Sequence, residues 1–70
     1  MICYENIEVN KEITTIVDVF KSMSESIDTY SFKLYKKDRY IGYRVVKSYS
    51  LDDALENLRF DLKYEQDEVE

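Results

Sequence analysis

The sequence has no proline, no tryptophan and no histidine, and only one glycine and one cysteine in 70 residues. Each absence excludes something. Without histidine, the common zinc ligand pairings and the imidazole bases of nucleophilic catalysis are missing. The single cysteine, Cys3, cannot close an internal disulfide and has no evident base beside it. With one glycine there is no Gly-rich phosphate loop and no turn glycine for a calcium loop. Asp52/Asp53 and Glu65/Asp67/Glu68 therefore do not read as metal ligands. The inventory points to a protein that is not an enzyme and uses no cofactor. No long apolar run, no basic segment leading into an apolar stretch and no lipidation motif is present, which with a free cysteine points to the cytoplasm.

What is present is charge and aromatic surface. Seven tyrosines and an aromatic content of 14% supply a core despite 36% charged residues. A chain of this length forms one domain and buries only about 60% of its unfolded surface, so it gains from a staple. Oligomerisation is the staple left, and a homodimer is expected. The net charge of −5 favours basic partners over nucleic acid or anionic membrane.

That charge is unevenly spread. Residues 1–32 hold six acids and two bases, 33–47 hold six bases and one acid, and 48–70 hold eight acids and two bases. The cations Lys33, Lys36, Lys37, Arg39, Arg44 and Lys47 lie in the stretch 30–49, YSFKLYKKDRYIGYRVVKSY, which has the alternation and aromatic/β-branched content of a β-hairpin. Its break at Lys36-Lys37-Asp38-Arg39 lacks Asn-Gly or Asp-Gly, so a loop of three to five residues is expected rather than two. Gly42, inside the second strand, marks a bulge or a close backbone approach.

Upstream, residues 2–8 alternate as a strand. Asn10 then suits a helix N-cap, and Ile13, Ile16, Val17, Phe20, Met23 and Ile27 recur at helical spacing, which predicts a helix ending within 24–29. Downstream, Ser50…Asp53 imitates a capping box, and Leu51, Ala54, Leu55, Leu58 and Leu62 form the buried stripe of a second helix. The expected architecture is α+β, in the order β-α-β-β-α. It is a three-stranded, mainly antiparallel sheet with two helices packed on one face. Residues 1–64 form the single domain, and 65–70 form an acidic, flexible C-terminal tail.

The second helix carries the best candidate site. Opposite its leucines lie Asp52, Asp53, Glu56, Asp61 and Glu65, and Phe60 and Tyr64 fall among them, four residues apart. Either this aromatic pair serves contact with a partner, or the helix bends near Arg59 and Phe60 tucks into the core. Acids four residues apart stand about 6 Å apart along the axis, a sparse imitation of the charge spacing of a nucleic acid. The hairpin offers the opposite reading. Its cations interleave with Tyr30, Phe32, Tyr35, Tyr40, Tyr43 and Tyr49, as in a small nucleic-acid-binding module that stacks bases on residues 30–49. The acidic flanks oppose that reading.

In length, acidity and element order the chain resembles the small proteins with which bacteriophages disable host factors, and is most similar to phage inhibitors of the nucleoid protein HU. The resemblance implies an acidic, dimeric DNA mimic that occupies the DNA-binding surface of a basic host protein in the bacterial cytoplasm and binds no nucleic acid itself. On this reading Asp52, Asp53, Glu56, Asp61, Glu65, Asp67 and Glu68 stand in for phosphates, and Phe60 and Tyr64 supply apolar anchoring.

Overall fold

The computed structural model describes residues 2–24 and 26–69, with side chains described as far as Lys63. Four strands run in order: β1 (Ile2–Glu8), β2 (Ile13–Phe20), β3 (Asp28–Lys36) and β4 (Arg39–Ser48). They are followed by one helix, α1 (Leu51–Val69). The strands form an antiparallel meander in which each pairs with its sequence neighbour. The expected three-stranded sheet with two helices is thus corrected to four strands and one helix.

The first expected helix is β2. Of its eight residues, ITTIVDVF, six are β-branched, a composition that costs side-chain freedom in a helix and packs well on a pleated surface. The inward row is Ile13, Thr15, Val17 and Val19, all buried. Thr15 disguises this period of two because a polar residue occupies a core position. Its Oγ1 donates to the Lys33 carbonyl at 2.8 Å, which satisfies the buried hydroxyl. Met23, expected in the helical stripe, is fully exposed in the loop after β2. Asn10 does use its side chain as a cap would. Its Oδ1 accepts from the amides of Glu12 (2.8 Å) and Ile13 (2.9 Å), but it closes the β1–β2 turn instead of opening a helix.

The β3–β4 turn has two residues, Lys37 and Asp38, where three to five were expected. Both have positive φ, 51° and 63°, the condition of a type I′ turn, whose twist matches the strands it joins. The pull of the ladder therefore holds two non-glycine residues in the left-handed region. Register shifts between Leu34 and Tyr35, which leaves Ile41 as a bulge beside Gly42. The φ of 145° at Gly42 is what requires glycine, since an added Cβ would meet nothing nearer than 4.0 Å. A second bulge interrupts β1 at Glu5–Asn6, with Asn6 at φ 56°.

α1 follows β4 as its sequence predicts. Ser50 Oγ accepts from the Asp53 amide at 3.2 Å, while the Asp53 carboxylate accepts from the Ser48 hydroxyl. Ala54, Leu55, Leu58 and Leu62 are buried against Val9, Ile13, Val17, Val19, Tyr30, Phe32 and Leu34. Burial of each leucine contributes about 1.5–3 kcal/mol. Farther along, Arg59 donates to the carbonyls of Val9 (2.9 Å) and Glu8 (3.0 Å) at the far end of β1. Starting beside the end of β4 and clamped at the end of β1, the helix crosses the sheet diagonally. One sheet face is covered, and the other is open.

Since glycine adopts positive φ without strain, Asp38→Gly should raise unfolding stability by about 1 kcal/mol, read as a higher urea midpoint with unchanged slope. A lower midpoint would contradict the turn geometry.

Candidate acidic helix face and the divided hairpin

The diagonal seat of α1 decides which helical residues meet solvent. With Leu55, Leu58 and Leu62 against the sheet, Asp52, Asp53, Glu56, Asn57, Phe60 and Asp61 are exposed. Asp52, Glu56 and Phe60 form one row at four-residue spacing, and Asp53, Asn57 and Asp61 form the next. Phe60 is 68% exposed, so the helix does not bend to bury it. Among the described residues, none of these four acids forms an ion pair. Asp53 alone is engaged, by Ser48 and by its part in the cap. The side chains of Tyr64, Glu65, Asp67 and Glu68, and the expected tail 65–70, lie outside the described side chains.

The hairpin does not form one basic ribbon, because strand alternation divides its cations. Lys33 and Lys47 lie on the open face, in register with Tyr43 and Thr29. Lys36 and Arg44 lie on the helix side, Lys36 beside Ile13 and Arg44 beside Phe32. Lys36 forms an ion pair with Glu12 at 3.2 Å, and Arg44 Nη1 donates to the Tyr43 carbonyl at 2.9 Å. The aromatics divide as well. Tyr30 and Phe32 are core residues, stacked with ring centroids 6.4 Å apart. Tyr35 and Tyr40 meet edge to face at 5.7 Å. Of the six aromatics interleaved with the cations, only Tyr43 and Tyr49 are both exposed and without a ring partner among the described residues.

Among the described residues, four groups titrate away from their ordinary values: Tyr30, raised by burial, and Asp28, Lys21 and Cys3. Asp28, nearly buried at the start of β3, accepts from the Ser22 amide at 3.2 Å and pairs with Lys21 at 3.1 Å. The Ser22 amide first, and then Lys21, hold its carboxyl below the usual range, and Asp28 in turn raises Lys21. Sequence reading missed this loop clasp, because Lys21 and Ser22 read as part of a helix ending within 24–29. Cys3 faces Asp18 across β1–β2, and its hydrogen bond to that carboxylate raises the thiol, which opposes thiolate formation.

No known protein family, curated protein or solved structure matches the chain. Among the described residues no helix is long and apolar enough to cross a membrane.

The Asp28 clasp sets a pH dependence. A carboxyl whose folded pKa lies below its unfolded value of about 4 stabilises the fold above that value and loses its contribution as pH falls through the folded pKa. The thermal midpoint of the wild-type chain should therefore drop on acidification below about pH 4 more steeply than that of Asp28→Asn. Parallel profiles would remove the clasp.

Proposed function

We propose that the chain is a non-enzymatic inhibitor that docks the outward face of α1 on the DNA-binding surface of a basic protein, as a nucleoid protein of the HU type would present. The observation that carries the reading is Phe60, 68% exposed in one helical row with Asp52 and Glu56. A solvated helix face has no need of a phenylalanine between unpaired carboxylates, whereas an interface uses an aromatic anchor ringed by charge. Asp52, Glu56 and Asp61 supply anionic groups to lysines and arginines that otherwise grip phosphates, and Phe60 supplies apolar area. Asp53 contributes less, being committed to Ser48. Charge complementarity of this kind speeds encounter and fixes orientation more than it deepens affinity. The division of the hairpin's cations and the burial of Tyr30 and Phe32 support this reading over a base-stacking module on residues 30–49. The compartment that accompanies it is the bacterial cytoplasm.

Because Asp52, Glu56, Asp61 and Phe60 are exposed, their substitution should shift stability by no more than about 0.5 kcal/mol. The double variant Glu56→Lys/Asp61→Lys should bind an HU-type protein at least about tenfold more weakly at ~0.1 M salt, with a shallower salt dependence. Phe60→Ala should weaken binding at low and high salt alike. Wild-type affinity that is indifferent to salt, or unchanged in the double variant, would count against the helix face.

A further inference from the structure

Among the described residues nothing covers the face of the sheet opposite α1, and its charge is divided by strand. The β3–β4 half carries Lys33 and Lys47, and the β1–β2 half carries Glu8 and Asp18. Among the described residues none of these four is ion-paired. Between the lysines stand Tyr43, 60% exposed, and Val45, 56% exposed. A positive half beside a negative half makes a poor surface for a polyanion, but it makes a self-complementary one.

We propose that this open face is the interface of a homodimer, two copies packing sheet to sheet about a two-fold axis parallel to the strands. That operation lays the β3–β4 half of one copy over the β1–β2 half of the other. It sets Lys33 and Lys47 over the half that bears Asp18 and Glu8, in both directions, and removes Tyr43 and Val45 from water. Four strands spaced about 4.8 Å apart, each about eight residues long at ~3.4 Å, present roughly 500 Å² per copy. Two such faces reach about 1,000 Å², the lower bound for a specific interface. A stacking distance of about 10 Å leaves room for both layers of side chains. The helices then point outward on opposite sides, so the dimer displays two acidic faces. This inference does not depend on what α1 binds.

Sedimentation equilibrium of the full chain tests it. The 8.4 kDa protein should run at twice its mass at tens of micromolar. Lys33→Glu/Lys47→Glu should give a folded monomer, with folding checked by circular dichroism. Adding Glu8→Lys/Asp18→Lys to that variant should restore the dimer, since the swapped charges are again complementary. Glu56→Lys/Asp61→Lys should leave the mass unchanged, so loss of partner binding by the helix and loss of dimerisation are separate results. A monomeric wild type at all accessible concentrations would overturn the proposal. So would a dimer indifferent to the reversal or not restored by the swap. A wild-type chain that shifts a single-stranded oligonucleotide through Lys33 and Lys47 would assign the face to nucleic acid instead.

Discussion

The structure depends on one contact layer: three leucines and an alanine of α1 laid across the inward faces of β2 and β3. Leu58, Phe32, Val17 and Thr15 are completely buried there, in a chain with no disulfide. Arg59 fixes the direction of that layer by tying mid-helix to the Glu8 and Val9 carbonyls. Without the tie, a single helix on a twisted sheet could settle at several angles. With it, one row of residues faces the sheet and another faces water.

From that constraint the distribution of charge follows. The acids of α1 stand on the side of the molecule away from the open sheet face, held apart by the thickness of the sheet and the core. Alternation along β3 and β4 then sends Lys33 and Lys47 to one side and Lys36 and Arg44 to the other. A cluster of six cations in sequence is thereby reduced to a few local features. A charge count along the chain treats neighbours as companions, while a strand sends them to opposite faces. The basic hairpin looked stronger in sequence than it is in space, and the acidic helix looked no weaker.

Parts of this were legible and parts were not, for identifiable reasons. α1 was legible because its leucines recur at 3.6-residue spacing with a serine cap at the right offset. β1, β3 and β4 were legible from alternation and aromatic content, and the bulge beside Gly42 from the lone glycine. β2 was misread because Ile13, Ile16, Val17 and Phe20 fit a helical stripe, while the true inward row includes a threonine. The decisive signal, six β-branched residues in eight, was available and outweighed by periodicity. The tight turn was missed because Lys37-Asp38 carries no glycine, and the strands supply what local preference withholds. Exposure of Phe60 was only an even alternative in sequence, since it depends on a straight helix clamped by Arg59.

The central claim is that the outward side of α1, and not the hairpin, meets the partner. Its most direct measurement is a nuclear magnetic resonance titration of the labelled chain with an HU-type protein. The account predicts shifted or broadened amides at Asp52, Glu56, Phe60 and Asp61, with Lys33, Tyr43 and Val45 unchanged from the free protein. Perturbation confined to the hairpin, or no perturbation at a concentration where HU-type proteins hold DNA, would contradict it.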